Sequence, residues 1–295
     1  WESGVLDVRL IQSSDSADDR APVVQSMTFQ GKDLDVEQTV AHGLLPAEPE
    51  ARRWREAARA LLEASCHLGP VRDAIVEVYT VEHGARGRHR PHSSNDWNSS
   101  DVVAQALLAD PELRAAVGAW MADHLEGWRV DVRQTLDTFN LVARRGGRES
   151  NLASAGQGIQ QVLPVVVSCC ARKLARLPIP FLDVVEQPEL HLHDAAHAPL
   201  GDLLLSAVEP GGGILVVETH SEALVLRIRR RIAEGTLRPD QVSLIFVEDE
   251  GHGSRLKPIP LKEDGEVGWW PEGVFSESFE EVKAIRRAQR VRGGA

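Results

Sequence analysis

"FLDVVEQPELHLHD", residues 181–194, sets an apolar run from Phe181 to Val185 directly against Glu186, Gln187, Glu189, His191 and His193. A short apolar run that ends in polar residues and a proline reads as a buried strand leaving the core. The same pattern recurs downstream. Residues 181–186 lead into a helical stretch at 194–208, residues 214–218 into one at 221–233, and residues 242–247 close the series. Apolar strands alternating with helices predict an α/β fold with a mostly parallel sheet and helices on both faces. Asp183 interrupts the apolar run; an unpaired buried carboxylate is costly, so it reads first as facing the strand's edge or paired with a basic residue such as Lys173, and second as a functional acid.

Working back toward the N-terminus, "GGRESNLASAGQGIQQVLPVVVSCCARKLA" (residues 146–175) reads as a glycine-bearing loop before a long apolar helix, with a bend at Pro164. "WRVDVRQTL" and "TFNLVARR" alternate as strands do. Asp110-Pro111 opens a helix, Ser100 is the expected N-cap of the helix before it, and a further helix follows the prolines near residue 50. Residues 84–100 have no period and read as a loop, while "VLDVRLIQ" near the start reads as a short strand followed by a polar stretch. "GWWPEG" reads as an aromatic corner in a C-terminal appendage that ends in a charged helix.

With 295 residues the chain is long enough for one large α/β domain plus an appendage, or two domains. A hydrophobic fraction of 42% with 26% charged residues fits a water-soluble protein, and no stretch approaches the ~20 apolar residues of a membrane span. Cys66, Cys169 and Cys170 form neither a disulfide framework nor a CxxC clip, which points to a reducing, cytoplasmic setting. A formal charge of -11 argues against a wholesale basic surface for nucleic acid. Basic clusters at 227–231 and 286–292 read first as solvated helix faces and second as phosphate contacts.

In a parallel α/β sheet, ligands collect outside the carboxyl ends of the strands. Glu186 and Gln187 end one strand, "ETHSE" at 218–222 ends the next, and "NLASAGQG" precedes a helix whose N-terminal N–H groups suit an anion. A strand-end acid can hold Mg2+ through water, a neighbouring acid or amide can orient an attacking water, and a histidine on the next strand can reach a terminal phosphate. Together these parts describe a nucleoside triphosphate site. The rival reading is a metal site, because His191, His193 and His197 have H-x-H-x3-H spacing beside Glu186 and Glu189. His197 falls within a helix rather than on the extended face shared by His191 and His193, which weakens that reading.

The order "LASAGQGIQQVLP", "FLDVVEQPELHLH", "ILVVETHSEALVLRIRRRI" resembles the signature motif, the Walker B strand with D-loop, and the switch histidine of ABC-type ATPases in the RecF, SMC and OLD-like group. The likeness runs over roughly residues 68–281 and is greatest to bacterial AAA-family ATPases that end in a small domain with a "WPEG-F" segment, here Trp270 to Phe275. It implies a P-loop NTPase-like fold, ATP and Mg2+ as ligands, and hydrolysis by in-line attack of water. Glu186 takes the Walker B position and would hold Mg2+ through water; His220 takes the switch position near the γ-phosphate. Ser154, Gly156 and Gly158 take the signature positions, which close over the ATP of an opposing protomer, so dimerisation on ATP is implied. A DNA or protein effector, in DNA maintenance or phage defence, is implied by the same likeness, with no membrane.

Two departures matter. Gln187 stands where many relatives have the catalytic glutamate; an amide can position water but not accept its proton, so turnover is slow or leans on a neighbour such as Glu189. No G-x-x-x-x-G-K-[ST] occurs, and the nearest approach, "MTFQGKD" around Gly31-Lys32, lacks the first glycine and the hydroxyl. The chain opens at Trp1, so the resemblance implies that the Walker A half lies upstream. The expected division is a residual N-terminal strand and loop region at 1–50, a helical insertion at 51–127, the C-terminal half of the ATPase core at 128–250 and the appendage at 251–295. The alternatives are a non-hydrolysing, nucleotide-dependent scaffold and a metal-dependent hydrolase built on His191 and His193. The chain after "SLIFVEDE" is too short for the nuclease domain of OLD-type relatives.

Overall fold

The computed structural model describes residues 6–12, 22–29, 32–33, 52–81, 96–209, 211–249, 251, 253–275 and 285. The expected polar stretch after the first strand, Gly31, most of the loop at 84–100, and the basic cluster at 286–292 with its helix lie outside the described residues. Strands β1 (Leu6–Gln12), β2 (Pro22–Phe29) and β3 (Lys32–Asp33) form an antiparallel sheet in the order β1-β2-β3. Lys32 is thus a ladder residue paired with Phe29, not part of a strand-to-helix loop.

Helix α1 (Arg52–Ala64) leads through β4 (His67–Leu68) and β5 (Tyr79–Thr80) to α2 (Ser100–Ala109) and α3 (Pro111–His124). Ser100 lies inside α2; Ser99 holds the N-cap position and makes no side-chain cap bond. Asp110 both ends α2 and starts α3: its N–H donates to Ala106 O, and its carboxylate accepts from the N–H groups of Glu112 and Leu113 at 2.9 and 3.0 Å. With Pro111 fitting the first turn, two helices are joined by one residue.

Strands β6 (Arg129–Gln134) and β7 (Thr138–Arg145) pair antiparallel as their alternation predicts, with β5 on the other edge of β7 at residues 138–139. Residues 148–151, expected to be loop, form β8 (Arg148–Asn151) against the end of β7. Gly146 and Gly147 both have positive φ, the two-residue turn that matches strand twist, and this closes a hairpin that polar side chains alone do not announce.

Helix α4 (Gln157–Lys173) follows, buried without interruption from Val162 to Arg172, with Pro164 inside it. Then come β9 (Phe181–Glu186), α5 (Asp194–Val208), β10 (Gly213–Glu218) and α6 (Glu222–Ala233). β4, β9 and β10 make a parallel sheet with β9 in the middle. Val162, Leu163, Val185, Leu200, Leu203 and Leu204 join one core cluster that extends to Phe139 and Leu141 of β7. Each fully buried side chain of this kind stabilises by about 1.5–3 kcal/mol relative to exposure. The architecture is therefore mixed α/β around a parallel sheet.

One expectation changes here. β11 (Leu244–Asp249) does not extend the parallel sheet; it turns at Gly251 into β12 (Ser254–Ile259) and pairs with it antiparallel. Leu182, Ile214 and Val216 share one sheet face and are exposed, as are Ile245, Val247 and Leu256 on the β11–β12 pair.

The partner of Asp183 is Arg172, not Lys173. The guanidinium makes a bidentate pair at 2.7 and 2.8 Å, donates to Ala64 O and Pro178 O, and lies 3.8 Å from the Phe181 ring centroid. Lys173, one residue on, is turned away and exposed. Both Arg172 and Asp183 are buried, so the pair stands only because all its polar atoms are engaged.

The basic run on α6 is neutralised internally. Arg227 and Arg231 share Asp202, Arg230 and Arg231 share Glu234, and Arg229 donates to Gly265 O. Burial would raise the Asp202 carboxyl, but the two guanidiniums outweigh it and hold it below the ordinary range. Gly265 itself has φ +77°, and a Cβ there would sit 2.4 Å from Arg229 O. The segment after β12 thus docks tightly on α6. Its aromatic corner is as expected: Trp269 donates to Pro258 O and meets Phe246 edge-on, while Trp270 donates to Val274 O.

Candidate functional site at the ends of β9 and β10

Parallel register places Glu218 beside Glu186 at the carboxyl ends of adjacent strands, and Gln187 N–H donates to Glu218 O at 2.8 Å. The chain then turns sharply. Gln187 and His191 have φ of +42° and +64°, left-handed conformations that cost non-glycine residues energy and tend to persist where a loop is held for a purpose.

Glu186 and His220 are partly and largely open to solvent, with side-chain exposures of 31% and 78%. The Glu186 carboxylate meets His67 Nε2 at 2.6 Å, from the neighbouring strand β4. His220 Nε2 lies 4.0 Å from Glu218 Oε1. Glu189 differs from both: it is buried, and its Oε1 accepts from His220 N–H at 2.7 Å and Thr219 Oγ1 at 2.8 Å. It ties the loop after β9 to the loop after β10 and fixes the backbone of His220. Its Oε2 has no partner among the described residues. Ser221 caps α6 by accepting from Leu224 N–H at 3.2 Å.

The segment Leu152–Gly158 meets this junction through Gly158. A Cβ at Gly158 would sit 2.4 Å from His191 O, so α4 can approach the loop after β9 only with glycine there. Gly156 is the N-cap of α4 and is exposed, as is Ser154 at the end of the 3-10 turn Leu152–Ser154. Gln160 holds that turn by donating to Ala153 O and Ala155 O.

Arg72 is a residue that sequence reasoning missed. Its guanidinium donates to Glu186 O at 2.7 Å and Gln161 O at 3.1 Å, and its main chain exchanges two bonds with the Gln161 amide. It is buried, and loss of hydration lowers its pKa to about 10 against the opposing pull of Glu189 and Glu186. Arg72 therefore joins α4 to the end of β9. Its partners lie 89 and 114 residues away, and nothing local in "LGPVRD" beyond Gly69-Pro70 marks the position.

The three histidines do not gather. His191 is exposed, His193 caps α5 by accepting from Ala195 N–H, and His197 bonds Ser221 Oγ and Leu192 O. Among the described residues no three His, Cys, Asp or Glu side chains come together in metal-binding geometry. The histidine-based hydrolase thereby loses its premise, because alternation along a strand is broken by the left-handed turn at His191.

For Mg2+ the donor chemistry fits: carboxylate oxygens of Glu186 and Glu218 stand at neighbouring strand ends, open enough to hold a hydrated hard cation. For a triphosphate the chain supplies helix N-termini and a histidine but no lysine-bearing loop among its sequence motifs.

The sequence matches no protein-family profile. It also matches no curated protein. Similar solved structures include one described as concerning ATP-driven dimerization and DNA-stimulated activation of SMC ATPases, with 12% identity over 61% of this chain and 97% of that one, at a TM-score of 0.40. A second is an Smc head bound to the C-terminal winged-helix domain of ScpA, with 10% identity over 80% of this chain and 64% of that one, at a TM-score of 0.44. A third, an Smc head with an extended coiled coil bound to the C-terminal domain of ScpA, derived from Pyrococcus furiosus, has 11% identity over 64% of this chain and 41% of that one, at 0.40. These are distant similarities of chain path, and no activity follows from them. No described helix is long and apolar enough to cross a membrane.

Proposed function

We propose that this chain is the Walker B, signature and switch portion of an ABC-type ATPase core, in which ATP binding drives dimerisation and hydrolysis acts on a DNA or protein effector in DNA maintenance or phage defence. The observation that carries this reading is the convergence of Glu186, Gln187, Glu189 and His220 at adjacent strand ends, with the α4 N-terminus packed on the same loop through Gly158. Glu186 would hold Mg2+ through water, and the ion would draw charge from the transferring phosphoryl oxygens. Gln187 orients the attacking water, His220 reaches the γ-phosphate, and Ser154, Gly156 and Gly158 face the ATP of the opposing protomer. Glu189 acts mainly by positioning His220, since its Oε1 is already committed to the His220 N–H.

The phosphate grip comes from a Walker A segment not contained in this sequence. Support comes from the sheet itself: parallel sheets are ordinarily covered on both faces, yet Leu182, Ile214 and Val216 are exposed. Such a face suits a segment that adds a strand and a helix. A second reading, a nucleotide-dependent scaffold that does not hydrolyse, is favoured by Gln187 at the position of a proton acceptor.

The test joins the chain to a Walker A half-domain and measures phosphate release. Turnover that Glu186→Ala abolishes supports the ATPase; equal rates in both proteins would sink it. ATP-dependent dimerisation without turnover, restored to turnover by Gln187→Glu, selects the scaffold.

A further inference from the structure

We infer that the β6–β7–β8 hairpin is a contact surface for the phosphodiester backbone of a nucleic acid. Five arginines, Arg129, Arg133, Arg144, Arg145 and Arg148, lie on these strands, all exposed, in a protein of formal charge -11. The ladder sets Arg129 directly opposite Arg144, and Arg145 directly opposite Arg148. Like charges facing each other across strands destabilise a sheet, and no core packing requires these residues.

Carboxylates neutralise only part of the set. Asp131 and Glu149 hold Arg144, Glu149 also holds Arg133, and exposed Glu126 meets Arg145 at 3.1 Å. The side chains of Arg129 and Arg148 have no ion-pair or hydrogen-bond partner among the described residues. Both line an open basin of about 340 Å³ with Arg144, Arg145 and the backbone of Gly127, Gly146 and Gly147. Glu149 lines it too, with its charge already matched. The half-buried Trp128 ring packs against the core and lies beneath Arg145, 5.9 Å from its guanidinium, which helps hold that arginine at the rim.

An open ribbon of guanidiniums spaced along strands suits a polymer of phosphates better than one small anion, which an enclosed pocket would hold. β8 runs directly into the turn Leu152–Ser154 and then α4, so this surface is joined through the chain to the helix that meets the loop after β9. This deepens the partner part of the proposed function, while binding itself needs no nucleotide and stands or falls separately from ATP turnover.

The full chain is titrated by fluorescence anisotropy with labelled DNA of about 30 residues, single-stranded and duplex, without ATP, at salt from about 50 to 200 mM. Binding of either form that weakens with salt is expected. Arg129→Ser/Arg148→Ser should lose roughly tenfold in affinity and lower the salt slope by about 2, with an unchanged circular dichroism spectrum. Arg238→Ser, at an exposed pair with Asp240 elsewhere, should change neither. No binding at the lowest salt, equal affinity in the double variant, or equally good competition by polyglutamate overturns the inference.

Discussion

Glu189 does its work by what it holds rather than by what it touches in solvent. A buried carboxylate that accepts two hydrogen bonds from the end of β10 converts two flexible strand ends into one surface. Glu189→Ala should cost about 1–3 kcal/mol in urea unfolding, because His220 N–H and Thr219 Oγ1 lose their partner, and Glu189→Gln should cost less because an acceptor remains. Arg172 is the corresponding hub of the core. Arg172→Ala should cost about 3–5 kcal/mol, against less than about 0.5 kcal/mol for Lys173→Ala, measured the same way. The three thiols behave as core atoms. Burial raises Cys66 and Cys169 far above the ordinary range and pushes Cys170 up to about 11. A thiol whose folded pKa is raised keeps its proton in the native state. The stability it adds is full below about pH 8.5 and is lost as pH rises toward the folded value. Unfolding midpoints should therefore fall above about pH 9, and a thiol-reactive dye at pH 8 should label the protein only after denaturant is added.

At the scale of elements, helix α4 is the organiser. Its C-terminal end carries Arg172 into the core under β9, and its N-terminal end meets the loop after β9 at Gly158, so both ends of one strand are referenced to one helix. Arg72 adds a third link, from Gln161 to Glu186 O. Gly158→Ala should force the helix and the loop apart, since a Cβ 2.4 Å from a carbonyl oxygen cannot be absorbed by a side-chain rotation. A loss of about 1–3 kcal/mol is expected, with faster hydrogen exchange at residues 187–193 as the local signature.

For the whole molecule, the uneven cover of the sheet is the main feature. One face is packed against α4 and α5, while the other presents Leu182, Ile214 and Val216 to solvent. Ile214 and Val216, exposed to 64% and 48%, contribute little burial to this chain and can be changed with little effect on its folding. Ile214→Thr/Val216→Thr should leave the urea midpoint of the isolated chain within about 0.5 kcal/mol and reduce its tendency to associate. The same variant joined to a Walker A segment should lose ATP turnover if that segment seats on this face.

Much of the architecture follows from periodicity alone. The apolar runs at 181–185 and 214–217, the alternation across 129–145 and the Asp110-Pro111 corner each encode an element whose stabilising contacts are local or one-faced, and each forms where expected. That Glu186 and Gln187 fall at the end of one strand and His220 just past the next was legible, because strand ends announce themselves by a change from apolar to polar. What the tertiary structure decided concerns partners far apart in the chain: Arg172 rather than Lys173 for Asp183, Arg72 for Glu186, the dispersal of the histidines, and the two-stranded fate of β11. Those outcomes depend on which side chain a helix turns inward and which backbone can approach which. Burial raises the energy of every unmatched polar group, and only the assembled core determines which groups are buried together.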